Sequence, residues 1–166
     1  MLSDRLVRMI QNHADELTGA LVADLQSNPR TAAYHQLSRE AIHHRTYHVY
    51  KDLGLWLNSK AEEDIESNYT KLGKERQAEG IPLSEIVYAL TLTKYRLRDY
   101  IRVSGLADSA MDLYQALELQ RLLGHFFDKA IYYTVRAYER SAKFQEVAGV
   151  RSGRARSVTQ PPACSS

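Results

Sequence analysis

Apolar residues recur at spacings of three and four along most of the chain, which is the period of an amphipathic α-helix. No segment has the sustained alternation of apolar and polar residues that indicates a β-strand. Four prolines and eight glycines in 166 residues divide this pattern into separate segments. The pattern therefore predicts an all-α fold, an antiparallel bundle of about five helices.

The first three predicted helices each begin after a serine that is suited to cap a helix. These serines are Ser3, Ser38 and Ser59, and turn residues at Pro29 and Gly80 end the first and third helices. The apolar seams are Leu6, Ile10, Ala14, Leu17, Leu21 and Leu25 in the first helix; Ile42, Thr46, Val49, Leu53 and Trp56 in the second; and Ile65, Tyr69 and Leu72 in the third. We expect one continuous helix for each seam.

The fourth predicted helix begins near Pro82, whose missing N–H costs nothing in a first turn, and ends at Ser104. Its seam is Ile86, Leu90, Thr93, Leu97 and Tyr100. The fifth helix, over about 108–147, has two adjacent apolar seams, which favours packing against several helices or a dimer interface. Gly124 is expected to kink this helix or to allow a close helix approach.

Residues 149–166 have no apolar period and many small polar residues, which predicts a disordered basic tail after a helical sensor or regulatory domain at 1–148. Arg151, Arg154 and Arg156 are three of the 22 basic residues. The domain therefore keeps 19 basic against 20 acidic residues, a net charge of −1. This near-neutral body argues against nucleic-acid binding and favours a protein partner.

The single cysteine, Cys164, excludes an intramolecular disulfide and a cysteine metal cluster. No apolar run approaches the length of about 18 residues that a membrane span requires, and the chain opens without an apolar leader. We therefore expect a cytoplasmic protein with no membrane span. The sequence has no glycine-rich phosphate loop, no nucleophile elbow and no zinc-protease motif, so it predicts a non-enzymatic protein that needs no cofactor.

Three polar residues on the second predicted helix have metal-ligand spacing. His44, His48 and Asp52 are four residues apart, so two imidazoles and a carboxylate share one stripe. The stripe lies opposite the apolar seam of that helix. We therefore interpret it as a solvated face, with these residues as the candidates if a metal is bound, and we predict no metal site.

Candidate pocket residues lie on the first and last predicted helices. His13 falls on the apolar face of the first helix, as a core imidazole or a group that faces an internal cavity. Phe127 and Tyr133 lie on the two seams of the last helix and complete this candidate pocket.

A stripe of basic residues follows the fourth predicted helix, at Lys94, Arg98 and Arg102. Such a stripe could dock an acidic partner or phosphate groups, while Asp99 beside it favours an ordinary solvated flank. The docking interpretation predicts an affinity that falls steeply with salt.

The joint between the third and fourth predicted helices carries a motif. A glycine ends one helix, and an apolar residue, a leucine and a glutamate lead into the next, which runs through Ala-Leu toward basic residues. These positions are Gly80, Ile81, Leu83, Glu85, Ala89, Leu90, Lys94 and Arg98. The segment 72–90 resembles the central part of the RsbRD N-terminal domain family, the sensor region of RsbT co-antagonist proteins. Phe127-Asp128 and 135–138 look like the last helix of that family, and the resemblance spans residues 3–148.

This resemblance implies a signalling input module, of the kind that precedes a STAS or histidine-kinase output module in stressosome-type regulators. By analogy it also implies a globin-like helical dimer without haem. No output domain fits after residue 148. We therefore expect a protein that docks on a separate partner, or a fragment of a longer sensor.

The leading expectation is a sensory or regulatory domain that forms a homodimer through the first or last helix and acts by protein contacts. The alternative is a helical domain that binds a small molecule or a cofactor, haem included, through a buried histidine.

Overall fold

The computed structural model describes residues 4–57, 62–104 and 109–156, with side chains through Val147. All of the regular elements are helices, which confirms the predicted all-α fold, and these ranges contain no β-strand. The elements are α1 (Asp4–Asn12), α2 (Ala14–Ser27), a 3₁₀ helix (Pro29–Gln36), α3 (Arg39–Lys51), α4 (Leu53–Trp56), α5 (Glu62–Ala78), α6 (Leu83–Val103) and α7 (Ala110–Arg156). The first two predicted helices are each broken in two, and the linker between them forms the 3₁₀ helix.

The first break lies at His13, between α1 and α2. The backbone of His13 leaves the helical region at φ −105° and ψ 17°, and its N–H donates to the carbonyls of Met9 and Ile10. The apolar seam continues across the break, because Ile10 and Ala14 are both buried. The apolar spacing therefore predicted one continuous helix where the structure has two.

A second break lies at Asp52, where the backbone has φ −103° and ψ 20° between α3 and α4. The indole N–H of Trp56 donates to the carbonyl oxygen of His48 at 3.2 Å, so α4 folds back onto the last turn of α3. Ser38 caps α3 as predicted, since its Oγ accepts from the N–H of Ala41 at 3.1 Å. The other two predicted caps, Ser3 and Ser59, lie outside the described residues.

The joint between α5 and α6 has the geometry that the sequence predicted. Gly80 has a φ of +72°, which suits glycine because a Cβ is disfavoured there. The N–H of Gly80 donates to the Gln77 carbonyl and that of Ile81 to the Arg76 carbonyl, the two hydrogen bonds of a Schellman motif. Pro82 occupies the cap position of α6, one residue before the first turn.

Helix α7 packs closely along α5, and the two backbones come close together at Gly73. A Cβ on Gly73 would overlap the backbone oxygen of Thr134 and lie 3.0 Å from the Cβ of Ala137. Gly124, the predicted site of a kink or close approach, has no atom within 4 Å of a Cβ, and α7 is continuous through it. The predicted close approach at Gly124 is therefore wrong, and Gly73 of α5 makes one instead.

The end of α7 differs from the predicted boundary. Its backbone continues as helix to Arg156, past residue 149 where the disordered tail was expected to begin. Residues 157–166 lie outside the described residues. Within the described ranges, no helix combines the length and the hydropathy that crossing a membrane requires.

Candidate ligand-binding site

A cavity of about 490 Å³ lies between α3, α5 and α6. It forms because α3 packs against α2 while α5 packs against α7, which leaves space between α3 and α5. The apolar part of its wall includes Leu25, Ile42, Val49, Leu72, Ile86 and Leu90. The volume is typical of sites for small molecules, and most of the wall is apolar as in such sites.

Two threonines in the wall contribute little polarity. The hydroxyl of Thr46 donates to the Ile42 carbonyl at 2.9 Å, and that of Thr93 donates to the Ala89 carbonyl at 2.8 Å. Each hydroxyl is therefore satisfied within its own helix.

Arg76 of α5 is the one buried charged residue of the described chain, with 4% of its surface exposed, and it lines the cavity. Its Nη1 donates to both carboxylate oxygens of Glu79, at 3.2 and 3.1 Å. Arg45 of α3 binds the same carboxylate with both of its terminal nitrogens, at 3.1 and 2.9 Å. Two guanidinium groups thus share one carboxylate, and this group carries a net positive charge.

The remaining edge of the Arg76 guanidinium is free. Both of its side-chain hydrogen bonds come from Nη1, so Nε and Nη2 have no hydrogen-bond partner among the described residues, although only 5% of the side chain is exposed. Among the described residues, the fully buried side-chain atoms without a partner are the Tyr50 and Thr70 hydroxyls, so Nε and Nη2 of Arg76, which lines the cavity, remain accessible to a bound molecule.

Two tyrosines in the wall also have hydroxyls with no hydrogen-bond partner among the described residues, Tyr34 of the 3₁₀ helix and Tyr69 of α5. Burial raises the pKa of Tyr34, and the nearby guanidiniums of Arg76 and Arg45 offset part of that rise. Burial alone raises the pKa of Tyr69. Both phenols are therefore neutral at physiological pH and able to donate a hydrogen bond.

The solvent-facing end of the cavity holds His48 and Asp52. His48 is exposed, and its Nδ1 lies 3.3 Å from a carboxylate oxygen of Asp52. His44, the third metal candidate, is exposed beside His48 with its ring 5.9 Å away. The described residues contain no group of three or more potential ligands placed to hold a metal ion.

The structure does not bring the predicted pocket residues together. His13 is exposed and its Nδ1 lies 2.8 Å from the Met9 carbonyl, so the prediction that it lies in the core is wrong. The helix break places it at the N-terminus of α2, off the apolar face. Phe127 is fully buried against Phe126, and the half-buried Tyr133 donates to Glu62 at 2.8 Å. None of the three predicted residues lines the cavity.

The sequence did contain a signal for Arg76. The apolar seam of α5 is Ile65, Tyr69 and Leu72, and Arg76 continues its alternating spacing of four and three residues. A charged residue at a seam position is unusual, because lone buried charges are costly. Tyr34 had no such signal, since it lies in a short 3₁₀ helix that no periodicity indicated.

The basic stripe on α6 is partly neutralised. Lys94 lies 3.6 Å from a carboxylate oxygen of Asp128, and Arg102 lies 2.9 Å from one of Asp99. This agrees with a solvated flank better than with an anion-docking surface.

No family model, no curated protein and no solved structure matches the chain, so the RsbRD resemblance stays a prediction that rests on the residues quoted above.

Proposed function

We propose that this chain is a non-enzymatic sensory or regulatory domain that binds a small, largely apolar molecule in the cavity between α3, α5 and α6. The observation that carries the proposal is the apolar cavity with Arg76, a buried residue with a free guanidinium edge, in its wall. Sites of this kind combine apolar walls with a few polar groups that orient the ligand. The resemblance to a sensor domain family supports the same role.

A ligand in this cavity would link helices that otherwise pack on different neighbours. Helix α3 is held by α2, and α5 is held by α7, so a ligand adds contacts between the two pairs. Binding then favours the arrangement in which the distance between α3 and α5 matches the width of the ligand. This change in helix placement is the signal that a partner would detect.

The proposed output surface is the N-terminal part of α7. Met111, Leu113, Tyr114 and Leu117 are each more than half exposed, although they are large and apolar. Contiguous apolar surface of this kind is typical of protein interfaces. We assign it to a homodimer contact, in a cytoplasmic protein that also docks on a separate signalling partner.

The cofactor-binding alternative is a haem protein. It relied on a buried histidine, but all six histidines lie within the described ranges and none is buried. His48, Tyr34 and Tyr69 are the cavity residues of a type that ligates haem iron. Titration with haem tests this alternative, because ligation by any of them gives a visible absorption band.

The proposal is tested with N-phenyl-1-naphthylamine, a neutral dye that fluoresces in apolar surroundings. We expect saturable binding of one dye per chain, lost in Ala89→Phe, because Ala89 lines the cavity and a larger side chain fills it. Ala20→Phe is the matched control, since Ala20 is exposed on α2.

Light scattering with and without dye then measures the fraction of the protein that is dimeric. Absence of saturable binding, or a dimer that does not respond to saturation, contradicts the proposal.

A further inference from the structure

We infer that the ligand of this cavity is an amphipathic monoanion, an apolar molecule with one carboxylate that binds the free edge of Arg76. This inference rests on the proposed function, because it names the chemistry of the molecule that the same cavity binds.

The charge of the Arg45–Glu79–Arg76 group is the first step. Arg45 uses its two terminal nitrogens on Glu79, and Arg76 uses only Nη1 on the same carboxylate. One carboxylate cannot neutralise two guanidiniums. Glu85, the other carboxylate near Tyr34, accepts from the Ala33 N–H and has no hydrogen bond to either guanidinium among the described residues, so the free edge of Arg76 has no carboxylate of its own.

The geometry of the free edge is the second step. Nε and Nη2 of a guanidinium point their N–H groups in parallel, and this spacing matches the two oxygens of a carboxylate. In Arg76 both nitrogens are without a partner among the described residues, and the side chain is 5% exposed. A carboxylate bound there supplies two acceptors and the missing charge together. A neutral hydroxyl or amide supplies only one acceptor and no charge.

Tyr34 is positioned to add a third donor. Its side chain is buried, its hydroxyl has no partner among the described residues, and it lies within electrostatic range of Arg76 and Arg45. Because burial raises the pKa of Tyr34, the phenol keeps its proton and donates to an anion. Glu85, which also acts on Tyr34, is held by the Ala33 N–H at 2.8 Å and leaves this donor available.

The far end of the cavity limits the ligand to one negative charge. Asp52 lies seven residues after Arg45 on the same side of the cavity, which is about 10 Å along α3. A second carboxylate at that end would face Asp52, paired only with the exposed His48. The wall between the two ends is apolar, with Ile42, Val49 and Leu90. A ligand with a charged head and an apolar tail fits this arrangement, and a dicarboxylate does not.

The experiment compares decanoate, decanol and decanedioate as competitors of N-phenyl-1-naphthylamine on the full chain. These probes share one chain length and differ in the number of carboxylates. We expect decanoate to compete about tenfold to a hundredfold better than decanol, the range for hydrogen bonds to charged groups. We expect decanedioate to compete less well than decanoate.

Variants locate the head group. In Arg76→Gln, the ratio by which decanoate competes better than decanol should fall to about one, while dye binding remains. In Tyr34→Phe, the same ratio should fall a few-fold. Arg121→Gln is the matched control, because Arg121 is exposed and paired with Glu118. If circular dichroism shows that Arg76→Gln does not fold, Tyr34→Phe and the wild-type preferences decide the question.

The outcomes separate this inference from the proposed function. Equal competition by decanol and decanoate in the wild type overturns the anion assignment and leaves the apolar cavity intact. A preference that survives both Arg76→Gln and Tyr34→Phe also overturns it, because the carboxylate then binds elsewhere. Absence of dye binding overturns the proposed function as well.

Discussion

The two sides of α5 are built in opposite ways. Toward α7 the helices touch so closely that Gly73 has no room for a Cβ against the backbone of Thr134. Toward α3 the same helix borders a cavity and carries the buried Arg76 with an unused edge. Helix α5 is therefore anchored from one side only. The cavity can therefore be filled or emptied without loss of the contacts that hold α5 in place.

Gly73→Ala should have the largest effect, because it breaks the closely packed side. The new methyl group meets a backbone oxygen, which cannot move without separating α5 from α7. We expect a loss of about 3 kcal/mol in the free energy of unfolding, measured by urea denaturation. Gly124→Ala is the control and should gain about 0.5–1 kcal/mol, since its site is open. Equal effects of the two substitutions would mean that the close contact does not hold the fold.

Glu79→Gln probes the cavity side and should have the next largest effect. It leaves the guanidiniums of Arg45 and Arg76 without a neutralising partner. Because Glu79 is partly exposed, we expect a loss of about 1–2 kcal/mol, below the cost of breaking a fully buried pair. Arg76→Met should lie within about 1 kcal/mol of the wild type, since Glu79 keeps Arg45 and an apolar side chain replaces a buried charge. Urea denaturation measures the free energy of unfolding of both variants. A larger loss in Arg76→Met than in Glu79→Gln would contradict this expectation.

Leu117→Glu extends the comparison to the outer surface of α7, where the Leu117 side chain is more than half exposed. A charge in a dimer contact should raise the dissociation constant about tenfold or more, and unfolding of the monomer should hardly change because the site is already open to water. Analytical ultracentrifugation measures the dimer. Phe144→Glu, exposed at the other end of α7, is the control. A dimer that tolerates Leu117→Glu places the interface elsewhere.

His13→Ala should have the smallest effect. The side chain is exposed, and its one hydrogen bond is to the local carbonyl of Met9. We expect a change below about 0.5 kcal/mol in the free energy of unfolding, the usual range for surface substitutions. Urea denaturation measures this change. A loss of about 2 kcal/mol or more, the scale of a large-to-small substitution in a core, would instead indicate that His13 lies in the core.

Some features follow from local sequence, and they were predicted. The α5–α6 joint is one, because glycine at a positive φ followed by proline specifies a helix end and a new start within a few residues. The Ser38 cap is another. The breaks at His13 and Asp52 were missed, because the apolar seam passes through both without a change of period. Neither residue is a proline or a glycine, and Gly54, which follows Asp52 by two residues, does not interrupt the apolar spacing.

Local sequence patterns are enough to predict that the chain is helical, where α5 ends and α6 begins, and which helix faces are apolar. The close packing of α5 on α7 at Gly73, and the space between α5 and α3 that holds Arg76, come from the tertiary arrangement of the helices. The physical reason is that helix periodicity depends on neighbours within one turn. The width of a gap between helices depends on the volumes of side chains from several distant segments, which no single stretch of the sequence contains.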